Sequence, residues 1–244
     1  MWKLRAVLFT APAIVLLTIG MGCLSLVCSI WDRTGNTQHR MARLWSRMLL
    51  AVGFVRCEAV GLEKLDPSGS YVLVANHASY LDSPAILAAV PLQFRFFAKK
   101  GLFSIPFLGW HLGRAGHLPV VRDDARASLK SMSEGARIMR DRRMSLLLYP
   151  EGGRTAVHMR PFKEGAAYIA IKAGVPVVPI GLVRSRELLP MRQWKIRSGT
   201  IEVRIGDPIP TADMSARDRS RLNELLQEKV AELAGQSIVT AASA

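Results

Sequence analysis

The chain has 244 residues, enough for one sizeable domain with a smaller appendage. Its 33 lysine and arginine residues exceed its 19 acidic residues by 14, a basic excess that points to nucleic acid, anionic lipid or phosphorylated substrates. Nucleic acid is not expected, since basic residues do not alternate with aromatic ones and no binding module is recognisable, and three scattered cysteines exclude a disulfide scaffold and a CxxC metal site.

A long apolar segment lies at the N-terminus. The 26 residues from Ala6 to Trp31 include no charged residue and would extend about 39 Å as a helix, more than the ~30 Å hydrocarbon core of a bilayer. No small-x-small cleavage site follows, so we expect the segment to be retained. The arginines after it outnumber Lys3 and Arg5 before it, which favours a cytoplasmic body. A transmembrane span and a bent, half-inserted helix both remain open.

A second helix is predicted after this segment. Apolar residues recur there at intervals of three and four, with arginines between them. The apolar positions are Met41, Leu44, Met48, Val52 and Val55, and the basic ones are Arg40, Arg43 and Arg47. Such a basic amphipathic helix suits an anionic bilayer surface. An ordinary helix facing the protein core is the alternative.

The rest of the chain alternates between strand and helix patterns. Strands are predicted at 71–75, 94–98, 117–121, 145–149, 177–180 and 201–205, and helices at 84–89, 125–140, 163–173 and 216–234. This alternation predicts an α/β fold with a mixed, largely parallel sheet flanked by helices. We therefore divide the chain into N-terminal membrane-associated helices (1–56), a central domain (57–215) and a C-terminal helix with a frayed tail (216–244).

A polar turn, Asn76-His77-Ala78-Ser79-Tyr80-Leu81-Asp82-Ser83-Pro84, follows the first strand of this domain. Ser83 and Pro84 read as an N-cap and first residue of a helix, so His77 and Asp82 lie at the carboxyl end of a strand, where α/β sheets place their sites. Residues five apart on one helix point about 140° away from each other, but a turn can fold the carboxylate back onto the imidazole. The alternative is that Asp82 caps the helix and His77 is a core histidine.

Three further segments favour a site over that alternative. They are Ala98-Lys99-Lys100-Gly101-Leu102-Phe103 with its continuation through Arg122; Tyr149-Pro150-Glu151-Gly152-Gly153-Arg154-Thr155; and Val175-Pro176-Val177-Val178-Pro179-Ile180. Together with NHxSxxD, in this order, they resemble the glycerolipid acyltransferase family, and most of all its bacterial 1-acylglycerol-3-phosphate acyltransferases. The resemblance covers residues 61–210. The third segment departs from the usual EGTRS at Gly153 and Thr155.

The resemblance implies an enzyme that moves a fatty acyl group from a thioester to the free hydroxyl of lysophosphatidic acid, giving phosphatidic acid. The donor would be acyl-CoA or an acyl-acyl carrier protein, and no other cofactor or metal is implied. His77 would be the general base and Asp82 the residue that orients it. Because transfer in the family is direct, Ser79 and Cys57 are not expected to be nucleophiles.

The acceptor phosphate calls for cations. Arg154 follows two glycines that let the backbone approach a ligand, and its planar fork suits a phosphate. The resemblance assigns acceptor or phosphate contact to Glu151, Gly152, Arg154, Arg122 and Lys99. It also places such an enzyme at the inner or cytoplasmic membrane, with its catalytic domain on the cytoplasmic face of an anionic bilayer.

Two alternatives remain beside this interpretation. The same chemistry could act on another acceptor, such as a lyso-ornithine lipid or a lysophospholipid with a head group. The chain could instead be a non-enzymatic basic protein of the membrane surface, although the four motifs argue against that.

Overall fold

The computed structural model describes residues 2–121, 124–154 and 158–238. The helices are α1 (Trp2–Arg5), α2 (Ala11–Cys28), α3 (Asn36–Val52), α4 (Asp82–Ala89), α5 (Leu108–Arg114), α6 (Ala125–Arg142), α7 (Gly165–Ala173), α8 (Ser185–Leu188) and α9 (Arg219–Ala234). The strands are β1 (Val55–Val60), β2 (Val72–Ala75), β3 (Phe94–Lys99), β4 (Leu118–Val120), β5 (Ser145–Leu148), β6 (Val177–Val183) and β7 (Gly199–Ile205). Shorter 3₁₀ turns are Leu62–Lys64, Lys100–Ser104 and Ala216–Asp218.

The strands form one mixed sheet in the order β1-β7-β6-β2-β5-β3-β4. The β6 and β7 strands are antiparallel, and every other neighbouring pair in this order is parallel. The predicted α/β fold with a largely parallel sheet is therefore confirmed. Because β2 lies between β5 and β6, the turn that follows it emerges in the middle of the sheet.

Helices cover both faces of the sheet, and the central strands are apolar on both sides for that reason. Leu73 and Leu147 point into one core, which also contains residues of α3 and α4. Val74 and Leu146 point into the other, against α6, α7 and α9. All four side chains are fully buried. Alternate residues of β2 and β5 thus pack into the cores on both faces of the sheet. This packing holds the carboxyl ends of the two strands in place.

Two sequence predictions need correction, and two elements of the fold were not predicted. Val55 is not on the amphipathic helix but begins β1, because Gly53 and Phe54 end α3 and Val55 pairs with Gly199. The strand β1 and the helix α5 were not predicted. The tail is not frayed from Gly235, since Gln236 and Ser237 make backbone hydrogen bonds and Ile238 forms a bridge with Met159. Residues 239–244 lie outside the described residues.

The N-terminal helix is continuous, because a π-helical turn (Ala6–Thr10) joins α1 to α2. It is long and apolar enough to cross a membrane, and only 6% of its most apolar window is buried. It packs against α3, where the Trp45 indole N–H donates to the Thr18 hydroxyl at 3.1 Å. Large apolar side chains on its outer side, such as Leu16 with 71% exposed, have no cover from the described residues.

The helix α3 has two different faces. Leu49 and Leu50 are buried in the core beside α4, as the core-facing alternative requires. On the opposite side, Leu44 and Met48 are 51% and 41% exposed, next to the exposed arginines 40 and 47. One side of α3 therefore forms the predicted basic and apolar surface, and its other side is part of the protein core.

Candidate active site

His77 and Asp82 meet in the turn between β2 and α4. The Nδ1 atom of His77 lies 2.8 Å from Oδ2 of Asp82, whose side chain is fully buried. An ionised carboxylate only accepts hydrogen bonds, so the N–H in this contact is that of Nδ1, and Nε2 is left on the far side of the ring. The predicted contact between the two side chains is confirmed, and its catalytic use stays a prediction.

The same carboxylate also shapes the turn. Oδ2 of Asp82 accepts the backbone N–H groups of Ala78 at 2.7 Å and Ser79 at 2.8 Å. The helix begins at Asp82 and not after Ser83, so the predicted serine cap is wrong. A carboxylate in the first turn is stabilised by the helix dipole. The capping role proposed as an alternative is not borne out, because no side chain caps this helix and the Asp82 carboxylate binds N–H groups of the turn that precedes it.

Tyr149 supports the imidazole from one side. Its ring stacks on that of His77, with centroids 4.0 Å apart and planes inclined by 14°. Its hydroxyl lies 3.0 Å from that of Ser83. Burial, and next the charge of Asp82, raise the pKa of Tyr149 far above its usual value, so the phenol stays neutral. Sequence reasoning missed the role of this residue, because the role depends on β5 being the neighbour of β2 in the sheet.

Glu151 holds the backbone of the histidine. Its Oε1 accepts the N–H of His77 at 2.7 Å, and its Oε2 accepts the N–H of Arg160 at 3.2 Å. The side chain is buried. The sequence predicted contact with the acceptor for Glu151, but these two bonds tie its carboxylate to the loop. A carboxylate also repels a phosphate, which favours a positioning role, and contact of Glu151 with the acceptor stays a prediction.

Asn76 fastens the same turn to the next strand. Its side-chain amide accepts the N–H of Leu182 at 2.7 Å and donates to the carbonyl of Leu182 at 3.1 Å. Because β2 has already ended, these two bonds take the place of the backbone hydrogen bonds that would join it to β6. The residue before His77 is thus fixed to β6, another role that sequence reasoning did not predict.

Arg154 lies against the turn from outside. Its Nε donates to the carbonyl of Ser79 at 3.2 Å, and its guanidinium lies 4.2 Å from the centre of the Tyr80 ring. The stack fixes the plane of the guanidinium beside the HxxxxD motif. The structure therefore places the predicted phosphate-binding arginine at the same turn as His77.

The remaining predicted acceptor residues differ in position. Gly152 has a φ of 74°, and a Cβ there would lie 3.1 Å from the side chain of Lys163, so glycine is required. Lys99 is exposed at the carboxyl end of β3, with β5 between it and the strand that carries His77. Arg122 lies outside the described residues. Its assignment and that of Lys99 stay predictions.

Ser79 and Cys57, the two side chains considered as nucleophiles, are poorly suited to that role. The Ser79 hydroxyl is buried and donates to the carbonyl of Leu189 at 2.9 Å while accepting the N–H of Leu81. Burial raises the pKa of Cys57 to about 11, so its thiol is protonated at neutral pH. In the described part of the chain, no three histidine, cysteine or acidic side chains form a group that could hold a metal ion.

A cavity of about 510 Å³ lies on the side of β5 that faces α6 and α7. Phe97, Met132 and Leu148 give it apolar walls, and charged residues including Lys163 and Arg219 lie among its lining residues. Tyr149 and Gly152 also line it, but His77, Asp82 and Arg154 do not. The cavity is therefore large enough for part of an organic ligand, and among the described residues it contacts the site only through the segment that follows β5.

Comparisons with known proteins decide the family. The family model described as Acyltransferase matches residues 56–183, more than half of the chain and including the HxxxxD turn and Arg154. The chain belongs to the acyltransferase family. The predicted recognition is thereby confirmed, and the matched span runs from β1 to β6.

Individual acyltransferases are similar over much of the chain. A chloroplastic 1-acyl-sn-glycerol-3-phosphate acyltransferase of Brassica napus is 33% identical over 174 residues, 70% of this chain and 50% of that protein. The human 1-acyl-sn-glycerol-3-phosphate acyltransferase alpha is 30% identical over 196 residues, 79% of this chain and 68% of that protein. The chain thus spans about half the length of the chloroplastic relatives of Brassica napus and Arabidopsis thaliana that it matches.

A solved structure shares the architecture. The crystal structure of the 1-acyl-sn-glycerophosphate acyltransferase PlsC from Thermotoga maritima superposes with a TM-score of 0.77 and 24% identity. The match covers 97% of this chain and 99% of that one. The likeness therefore extends over the N-terminal helices as well as the sheet, and it shows the fold.

Proposed function

We propose that the protein is a membrane-associated acyltransferase that moves a fatty acyl group from an acyl thioester to lysophosphatidic acid, giving phosphatidic acid. The single observation that carries the proposal is the 2.8 Å contact between Nδ1 of His77 and Asp82 in an acyltransferase domain. The similarity to 1-acyl-sn-glycerol-3-phosphate acyltransferases supports the choice of acceptor.

The reaction would use His77 twice. Nε2 accepts the proton of the acceptor hydroxyl as its oxygen attacks the thioester carbonyl, and Asp82 stabilises the imidazolium that forms. When the tetrahedral intermediate collapses, the C–S bond breaks and the departing thiolate takes the proton from Nε2. The sum is one hydroxyl and one thioester converted to one ester and one thiol, with no acyl-enzyme.

The acceptor would bind through its phosphate. Arg154 offers a guanidinium held in one plane by Tyr80, which favours the two-pronged grip on phosphate oxygens. Lys99, and Arg122 outside the described residues, would add positive charge. Gly152 would let the backbone come close to the ligand.

The donor and the membrane complete the proposal. Acyl-CoA or an acyl-acyl carrier protein would supply the thioester, and no metal or other cofactor would take part. The N-terminal helix and the exposed face of α3 would hold the chain at the cytoplasmic face of an anionic cytoplasmic or inner membrane. The arginines that follow the apolar helix support this orientation.

A thiol-release assay tests the proposal. Purified protein with acyl-CoA, or with acyl-acyl carrier protein, should release free thiol only when lysophosphatidic acid in detergent is added. The His77→Ala protein should release none under the same conditions. A wild-type protein that releases no thiol with either donor would favour the non-enzymatic alternative.

A further inference from the structure

A second apolar surface, formed by residues outside the N-terminal helix, lies in the segment 102–110. Ile105, Phe107 and Trp110 are 46%, 65% and 61% exposed, and Leu102 and Leu108 are exposed as well. The rings of Phe107 and Trp110 contact each other edge to face, with centroids 5.2 Å apart. So many large apolar side chains grouped at a surface indicate a site of interaction.

The backbone presents these side chains at a cost in strain. Phe107 has a φ of 62° and a ψ of −53°, a conformation that bulky residues rarely adopt. Gly109 lies so close to the carbonyl of Phe103 that no side chain would fit there. The backbone contacts that fold the segment do not bury its aromatic rings. Both the strain and the exposure make sense if an apolar partner covers Phe107 and Trp110.

The segment lies beside the end of the N-terminal helix. The Ser25 hydroxyl of α2 and Nδ1 of His111 in α5 are 3.0 Å apart, which joins the two helices. On α2, Leu24 and Val27 near this contact are also exposed. Exposed apolar side chains therefore occur on both sides of the joint between α2 and α5.

Basic residues flank the segment. Lys99 and Lys100 precede it, Arg114 follows it, and all three are exposed. The stretch from residue 91 to residue 121 contains no acidic residue. Aromatic residues beside lysine and arginine suit the interface of an anionic bilayer. A second copy of this chain, with its net charge of +14, would be repelled.

We propose that the segment 102–110 inserts Phe107 and Trp110 into the lipid leaflet that the N-terminal helix contacts. The inference rests on the proposed membrane association and adds a second point of contact, carried by the catalytic domain itself. Because Lys99 ends β3 immediately before the segment, insertion would hold that end of the sheet at the level of the lipid head groups. A lysolipid could then reach the site without leaving the leaflet.

Tryptophan fluorescence tests the insertion directly. The emission of Trp110 is obtained by subtracting the emission spectrum of the Trp110→Phe protein from that of the wild-type protein. Both spectra are measured with vesicles of equimolar phosphatidylcholine and phosphatidylglycerol. We expect this difference emission to shift to shorter wavelength and to be quenched by lipids brominated in the upper acyl chain. The matched control places a tryptophan on the other side of the sheet, as Leu129→Trp in the Trp110→Phe protein, because Leu129 of α6 is also exposed. Its emission should not be quenched.

A paired activity assay separates this inference from the proposed function. Phe107→Glu with Trp110→Glu should lower transfer to lysophosphatidic acid in vesicles and retain transfer to the detergent-dispersed lipid, which also reports that the protein folds. Unquenched Trp110 emission in a protein that binds vesicles would overturn the inference and leave the proposed function intact. A blue shift without lipid, on raising the protein concentration or adding acyl carrier protein, would overturn it too, because another partner would then cover the segment.

Discussion

The HxxxxD turn and the N-terminal helix both depart from the usual rule that polar residues are exposed and apolar residues are buried. The turn buries polar residues, and the helix exposes apolar ones. At the turn, Asn76, His77, Asp82 and Glu151 are buried, and each makes hydrogen bonds with neighbouring groups. Along the helix, leucines such as Leu16 are exposed. Burying polar groups is costly unless they are paired, so the turn indicates a site with fixed geometry. Exposing so many leucines is costly in water, so this helix indicates contact with an apolar environment such as lipid.

The largest effect is expected from removing the base. His77→Ala should lower the rate of thiol release by about 10²–10⁴-fold, because a general base contributes that much. Asp82→Asn should also be severe, since an amide cannot stabilise the imidazolium. The matched control is Asp66→Asn, because the exposed Asp66 also accepts a backbone N–H, that of Ser68, but contacts no histidine. A His77→Ala protein that turns over near the wild-type rate would contradict this role.

Arg154 should have the next largest effect. A charge-assisted hydrogen bond to phosphate contributes roughly 1.5–3 kcal/mol, so Arg154→Ala should lower kcat/KM for the acceptor by about 10- to 150-fold. Arg154→Lys should restore part of this loss, because an ammonium cannot grip two oxygens at once. Arg137→Ala is the control, since Arg137 is an exposed arginine paired with Glu134 on α6. Kinetics with varied acceptor and varied donor are the measurement. A mutant weakened toward the donor alone would move Arg154 to the donor side.

Mutations of two leucines, one on the exposed side of the N-terminal helix and one in the core, compare these two regions. Leu16→Asp should weaken vesicle binding by roughly 10-fold or more, since a buried leucine contributes about 1.5–3 kcal/mol. It should change the free energy of unfolding in detergent by less than about 0.5 kcal/mol, as is usual for surface sites. Leu73→Ala, in the buried core, should instead lower that free energy by about 2–5 kcal/mol. Vesicle sedimentation and denaturant unfolding measure the two quantities. Equal effects of both mutations on unfolding would mean that Leu16 is packed against protein.

The smallest expected effect concerns Glu151. Glu151→Gln keeps an oxygen for the N–H of His77, gives up the 3.2 Å bond from the N–H of Arg160, and loses the charge. The weaker bond to His77 should cost about 1 kcal/mol, or about 5-fold in kcat. KM for the acceptor should change little if Glu151 positions His77 and does not touch the phosphate. Glu63→Gln, at an exposed glutamate, is the control. A mutant altered mainly in acceptor KM would return Glu151 to the acceptor site.

The sequence could predict most of the sheet, because buried parallel strands such as β2 and β5 are continuous apolar runs. It could not predict β1, where only Val55 and alternate partly buried residues face the core and the pairing with β7 comes from far along the chain. The helix α5 was missed because Gly109 and Gly113 obscure its pattern, and Gly109 is needed for a close backbone contact.

The site was predictable where chemistry and local spacing coincide, as for His77 and Asp82 five residues apart. The roles of Tyr149 and Asn76 depend on which strands are neighbours, and a short motif carries no information about strand order. For Glu151, contact with the acceptor stays a prediction, and its bond to the backbone of His77 was not predicted. Its carboxylate faces a backbone N–H that is 74 residues away in sequence.

The central claim is direct transfer to lysophosphatidic acid by the His77–Asp82 pair, and a competition assay tests it most directly. Purified protein would receive one acyl donor and an equimolar mixture of lysophosphatidic acid, a lyso-ornithine lipid and head-group lysophospholipids in detergent. Mass spectrometry of lipids and intact protein should find phosphatidic acid as the dominant product, no acylated protein, and no product with His77→Ala. A different dominant lipid, or an acyl group on the protein during turnover, would contradict the proposed acceptor or the direct mechanism.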